Sequence, residues 1–136
     1  MLVTRETDYA IRAVRALSGG KQKTLSQICK EEYVPEHFGY KILKKLAKAG
    51  YVIIKRGKTG GYTISDNFAD LTLYDLTVVM ENPTDISPCV VPGYRCEVHV
   101  NKDEPCAVND CLSSMQQILD AELKAVNMKA LFQKHK

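Results

Sequence analysis

Between Thr24 and Ile64 the sequence runs two short helical signals straight into a glycine-rich, basic hairpin, and few small folds accommodate that order. Thr24-Leu25-Ser26-Gln27 has the form of a capping box, in which the Thr hydroxyl and the Gln side chain close each other's open backbone donors. Leu25, Ile28 and Cys29 follow at helical spacing, with Cys29 as a small buried hydrophobe on the apolar face. Pro35 stands at a first helical position and Gly50 at a stop, and between them Ile42, Leu43, Leu46 and Ala47 share one face. His37, Lys41, Lys44, Lys45 and Lys48 share the opposite face, because residues three, four and seven apart stack on a helix. Tyr51–Lys55 and Tyr62–Ile64 read as strands around Gly57-Lys58-Thr59-Gly60-Gly61. Those glycines permit a tight tip with positive φ, and Arg56 and Lys58 put charge on it.

A Lys face alone is an ordinary solvated surface. A helix pair followed at once by a basic hairpin is a winged helix-turn-helix, which sets a helix in the major groove of DNA and a wing along the adjacent minor groove. The candidate DNA-contacting set is His37, Tyr40, Lys41, Lys44 and Lys45 on the helix, with Arg56 and Lys58 on the wing. A phosphate-cradle reading of the glycines fails, for no Lys-Ser/Thr pair and no helix follow them.

The flanks extend this unit. Ala10, Ala13, Val14 and Leu17 predict a helix from about Thr7 to Ser18, ended by Gly19-Gly20. Thr72 caps a further helix carrying Leu73, Leu76, Thr77 and Met80, stopped by Asn82-Pro83. Residues 83–110 lose periodicity and read as a long functional loop. From about Asp110 a stripe of Leu112, Met115, Leu119, Leu123, Val126 and Ala130, broadened by Ile118, Ala121 and Ala125, predicts one long helix with its apolar face on a second subunit. The expected fold is mainly α with a small β-hairpin. It divides into a winged helix-turn-helix domain (1–82), a cysteine-rich sensor loop (83–110) and a dimerisation helix with its tail (111–136).

Charge and cysteine usage narrow the function. Residues 1–66 hold 13 Lys+Arg against 6 Asp+Glu, a net of +7, while residues 67–136 hold 6 against 10, a net of −4. A basic half beside an acidic half points to a polyanion-binding module joined to a part with another task. No apolar run approaches a membrane span and the N-terminus lacks a signal layout, so a cytoplasmic protein is expected. Cys89, Cys96, Cys106 and Cys111 are concentrated in the aperiodic segment, where soft sulfur ligands suit zinc or an iron–sulfur cluster, and exposed thiols suit reversible oxidation. Their spacing does not choose among these. His99 and His135 read as solvated. No catalytic Ser/His/Asp or paired-carboxylate arrangement stands out, so an enzyme is not expected. A structural or electron-transfer metal protein is the other class these cysteines allow, but the Lys face and wing favour a DNA-binding regulator.

The opening Leu2-Val3-Thr4 through Asp8-Tyr9-Ala10, the wing Arg56-Gly57-Lys58-Thr59-Gly60-Gly61-Tyr62, and the cysteine segment running through Cys111-Leu112 into a long helix carry a resemblance to a known family. Over essentially its whole length the chain resembles the Rrf-two winged-helix transcriptional regulators of the IscR/NsrR/CymR type. The resemblance implies a homodimeric regulator, usually a repressor, on a pseudo-palindromic operator. In the cluster-binding members three loop cysteines hold a [2Fe–2S] or [4Fe–4S] cluster with a variable fourth ligand. Cys89 and Cys111 look like the first and third of those cysteines, and Cys96 or Cys106 like the second. Ser114 stands where some members have a His ligand three residues after the last cysteine. Asp8 matches a position that supplies a carboxylate across the dimer in some members; otherwise it is a first-turn acid favoured by the helix dipole. This loop is longer than the family pattern and carries a fourth cysteine. The alternative implied is a cluster-free member switched by thiol oxidation, zinc or a partner protein.

Overall fold

The structure, a computed structural model, describes residues 1–102 and 104–134. His135 lies outside the described residues. Helix α1 (Arg5–Leu17) starts at Thr4, whose hydroxyl accepts from the Thr7 N–H, and carries Glu6 and Asp8 in its first turn, where the helix dipole favours anions. Helix α2 (Leu25–Glu32) opens on the expected capping box: the Gln27 N–H donates to the Thr24 hydroxyl at 3.2 Å and the Thr24 N–H to Gln27 Oε1 at 2.8 Å. Tyr33 ends it in the left-handed region, at φ 55°. Helix α3 (Glu36–Lys48) begins one residue later than the sequence reading, because Pro35 is extended and acts as the cap rather than the first helical residue. Gly50, at φ +88°, reverses the chain after it.

Strands β1 (Val52–Lys55) and β2 (Gly61–Ile64) pair antiparallel, with Val52 opposite Ile64 and Lys55 opposite Gly61. A short 3-10 turn (Asp66–Asp70) leads to helix α4 (Leu73–Val79), opened by a second capping box between Thr72 and Asp75. The segment 83–110 is not a plain loop. It contains a 3-10 turn (Pro88–Val90) and a six-residue helix α5 (Glu97–Lys102). Helix α6 then runs from Ala107 to Ala125, three residues ahead of the predicted start, because Cys106 caps it.

The long stripe breaks where the sequence reading continued it. Val126 turns extended and Asn127 caps a separate helix α7 (Met128–Gln133), its side-chain oxygen accepting from the Ala130 N–H at 2.9 Å. Asn127 Nδ2 donates to the Ala69 carbonyl, and the backbone closes on α4 through Leu73 N–H to Val126 O at 2.9 Å and Met128 N–H to Leu71 O at 2.8 Å. Met128 is fully buried in the same core as Val14, Leu17, Ile42, Leu46 and Leu76, and Phe132 stacks on Phe68 at 6.4 Å. Residues beyond 111 therefore complete the core that the N-terminal segments begin. No helix among the described residues is long and apolar enough to cross a membrane.

Candidate nucleic-acid interface and cysteine site

Helix α3 turns His37, Tyr40, Lys41, Lys44 and Lys48 to solvent, while Ile42, Leu43 and Leu46 face the core. Two contacts fix its pose. The Phe38 ring lies 5.4 Å from the buried Tyr9 ring of α1, with the His37 ring tilted against it from outside at 4.4 Å. Gly39 faces α2 so closely that a Cβ there would stand 2.5 Å from Cys29 Sγ, so the helix-turn-helix pair packs at a distance only glycine permits. Cys29 is the small buried hydrophobe its spacing indicated, and burial, with Glu36 second, pushes its thiol up. Lys45 departs from the solvent face. It is half-buried at the flank, its Nζ 3.4 Å from Glu6 and 3.5 Å from Glu81.

The wing tip, residues 56 to 59, is exposed, and Arg56 and Lys58 project from it beside Lys55. Positive φ belongs to Gly57 (+104°), not to Gly61. Gly61 is required for another reason: its Cβ would lie 2.7 Å from the Lys23 carbonyl. Lys23 and Tyr62 exchange backbone bonds at 3.0 and 2.8 Å, and Gln22 Nε2 donates to the Thr59 carbonyl at 2.7 Å. The connection between α1 and α2 thus clamps the wing. Sequence reasoning missed Gln22 and Lys23, since nothing local marks a pairing made so far along the chain.

Three of the four clustered cysteines come together. Cys89, Cys96 and Cys106 line one cavity of about 430 Å³ with Tyr94, Arg95, His99, Val100, Val108 and Asn109. Cys106 caps α6, its sulfur accepting from the Asn109 N–H at 3.4 Å, and Asn109 Nδ2 donates to the Cys89 carbonyl at 2.8 Å. Ser87 Oγ lies 3.2 Å from Cys89 Sγ. That hydrogen bond, and Asn109 after it, holds the Cys89 thiol below its ordinary range. Cys111 is exposed one turn into α6 and does not line the cavity. Asp8 pairs with Arg12 at 3.1 Å and is likewise absent from it. His99, read as solvated from sequence, is on the cavity wall. The signal for it was Cys96-Glu-Val-His99, a one-turn spacing that carries meaning only once α5 is seen to be a helix.

A thiophilic centre needs several sulfur donors, room, and partial shielding from water. Three cysteines around one cavity supply the donors and the room, while Tyr94, Val100 and Val108 beside them are exposed in the single chain. Among the described residues, however, no three His, Cys, Asp or Glu side chains already converge closely enough to hold a metal ion.

A family model described as Rrf2, iron-dependent transcriptional regulator, matches residues 3–134. The chain belongs to the Rrf2 family. Rrf2 proteins are transcription regulators, so this is a DNA-binding regulator on a winged-helix fold and not an enzyme. The chain is similar to protein aau3 of Rhizobium meliloti, 31% identical over 114 residues that cover 82% of this chain and 72% of the relative. In fold it is similar to CymR, the global cysteine regulator of B. subtilis, with a TM-score of 0.76 at 20% identity over 98% of both chains. T. potens IscR superposes with a TM-score of 0.73 at 16% identity, covering 98% of this chain and 88% of that one. At these identities the two structures speak for the Rrf2 fold alone.

Proposed function

We propose that this Rrf2 regulator binds a pseudo-palindromic operator as a homodimer, acting as a repressor, and that the segment 83–110 senses iron–sulfur or redox status. One observation supports the reading most. The exposed face of His37, Tyr40, Lys41 and Lys44 lies next to a clamped wing bearing Arg56 and Lys58, and both sit in the +7 half. Lys44 and Lys48 contact phosphates, whereas His37, Tyr40 and Lys41, nearer the start of α3, read base edges. Lys45 holds the flank of α3 through Glu6 and Glu81 instead of entering the groove.

The dimer surface is the exposed face of α6. Val108, Met115 and Ile118 are 66%, 53% and 66% exposed and follow one another at helical spacing, with Cys111 in the same row. Leu123 is buried in its own chain and Leu119 half-buried, so they serve the fold rather than the second copy.

Cys89, Cys96 and Cys106 are the residues that would hold a cluster, which, when bound, supplies oxidant-labile iron–sulfide bonding. Reduced, deprotonated sulfur is needed to retain it, so the chain's part is to offer thiolates, and Ser87 and Asn109 favour that form at Cys89. The unconverged donors favour a second reading, a cluster-free protein switched by thiol oxidation, zinc or a partner protein. Anaerobic purification, a visible spectrum and iron and sulfide analysis, paired with promoter-fragment binding, test both. Iron with sulfide supports the first reading. A colourless protein whose DNA affinity changes with equimolar zinc or with oxidation supports the second, and insensitivity to both removes this segment as sensor.

A further inference from the structure

We infer that Gln22 is a positioning residue for DNA recognition: by holding the Thr59 carbonyl it fixes the angle at which the wing presents Arg56 to a minor groove, and so sets the preference for the base pairs flanking each half-site. The inference rests on the DNA-binding function proposed above and extends it to a residue outside the contacting set.

Two attachments to one short arm carry it. The ladder of β1 and β2 ends at Lys55 opposite Gly61, so residues 56 to 60 project beyond the last strand pair. Inside that tip the Gly60 N–H donates to the Gly57 carbonyl at 3.0 Å, Gly57 takes φ +104°, and a Cβ at Gly60 would collide with the Lys55 carbonyl. The tip is tightly folded in itself, but none of these contacts sets its tilt against the helices. The connection between α1 and α2 does so at two points. Lys23 exchanges backbone bonds with Tyr62 at 3.0 and 2.8 Å, and Gln22 Nε2 donates to the Thr59 carbonyl at 2.7 Å. One attachment leaves a hairpin free to pivot about it, and a second one, nearer the tip, removes the pivot. Among the described residues, no other side chain from outside the hairpin hydrogen-bonds to residues 56 to 60.

Gln22 suits the task by length and by chemistry. Its stem passes over Gly61, whose Cβ would stand 3.1 Å from Gln22 Cγ, so the missing side chain there gives it passage. Its amide supplies a donor without charge, so it holds the arm and adds no pull on phosphate of its own. Arg56 leaves β1 as the chain enters the tip, and Thr59 stands where the chain returns towards β2, so fixing one arm fixes the other. A narrow minor groove, as in A·T-rich sequence, concentrates the negative potential that an inserted arginine reads. Contact with phosphate tolerates a loose arm, whereas insertion into a groove about 6 Å wide does not. Loss of the Gln22 bond therefore costs discrimination among flanks, and leaves the base edges facing α3 to be read as before.

The test uses the full-length protein and a duplex that it selects from a randomised pool, prepared with A·T-rich and with G·C-rich flanks. Wild type prefers the A·T-rich flanks. Gln22→Met keeps the length of the side chain and removes the donor. It should weaken binding to the A·T-flanked duplex by about three- to tenfold, the worth of one hydrogen bond, and erase most of the flank preference. Base substitutions inside the half-sites should keep their wild-type penalties. Arg56→Ala should erase the same preference, and the double variant should bind no more weakly than Arg56→Ala alone. In the free protein, trypsin cleavage after Arg56 or Lys58 should rise in Gln22→Met with thermal unfolding and circular dichroism unchanged, which separates a released tip from an unfolded chain. A wild type indifferent to its flanks, an unchanged preference or unchanged cleavage in Gln22→Met, or a penalty that adds in full to that of Arg56→Ala overturns the inference while the wing remains a DNA contact. If Arg56→Ala itself changes neither affinity, the wing takes no part in recognition, and the proposed mode of DNA binding fails together with the inference.

Discussion

At single positions, the structure separates residues that sequence treats alike. Three glycines of the wing motif look interchangeable, yet Gly57 is needed for its positive φ and Gly61 for the nearness of the Lys23 carbonyl. Gly61→Val therefore pushes the wing off the α1–α2 connection, and protease cleavage near Gln22 should increase before global stability falls. Arg56→Ala leaves that clamp untouched and should cost about 1–3 kcal/mol of operator affinity with the oligomeric state unchanged. Fluorescence anisotropy with size-exclusion chromatography distinguishes the two, and equal operator affinity for wild type and Arg56→Ala would remove the wing from recognition. The cysteines divide in the same way. Under native, metal-free, reducing conditions a maleimide probe should label the partly exposed Cys89, Cys96 and Cys106 well before Cys29, which should react only on unfolding, because Cys29 is buried against Gly39 and its thiol is pushed up. Labelling of Cys29 at the rate of those three would contradict the packing of α2 on α3.

Elements capped by local chemistry were legible in the sequence, and those stopped by distant partners were not. Thr24 and Gln27 close α2 within four residues, Thr72 caps α4, and Gly50 ends α3, so each boundary is written beside the helix it bounds. The break at Val126 depends on Asn127 reaching Ala69 and on backbone bonds to Leu71 and Leu73, and no periodicity within α6 and α7 announces it. Helix α5 was illegible because six residues are too few to show a period, and with it went the significance of His99. The Lys face of α3 was legible apart from Lys45, whose partners Glu6 and Glu81 lie on other elements. At this scale α6 carries the decisive test. Ile118→Glu should give monomers with weakened operator binding and a native circular dichroism spectrum, since Ile118 is 66% exposed in the single chain. Leu123→Glu should instead unfold the protein, because it places a charge at a position 6% exposed. A light-scattering mass of one chain for the unmutated protein would refute the dimer.

The whole molecule combines two unlike halves on one core. In the proposed function the basic half supplies a salt-dependent hold on DNA, while the acidic half bears the cysteine cavity and the exposed face of α6. Specific promoter fragments should therefore bind with a steep inverse dependence on salt, and half-sites should be separated by one helical turn or a multiple of it, as two-fold symmetry requires. Shallow salt dependence with no selectivity among fragments would contradict this. Stability is shared across the same halves. Met128→Ala should destabilise the DNA-binding unit by about 2–5 kcal/mol although it lies far from that unit in sequence, as chemical denaturation followed by circular dichroism would show.

The return of α7 to the first-made core also has a consequence during synthesis. Val14, Leu17, Ile42 and Leu46 are translated early, but the side chain that closes their core, Met128, emerges only after the wing, the cysteine segment and α6. Folding on the ribosome can collapse the N-terminal helices, but the native core waits for that late arrival. A truncated product ending before Val126 would lack both the closing side chain and the backbone bonds to Leu71 and Leu73. Such a fragment should be cleaved by proteases faster than the full chain and should not bind DNA on its own, which limited proteolysis and promoter-fragment binding would show.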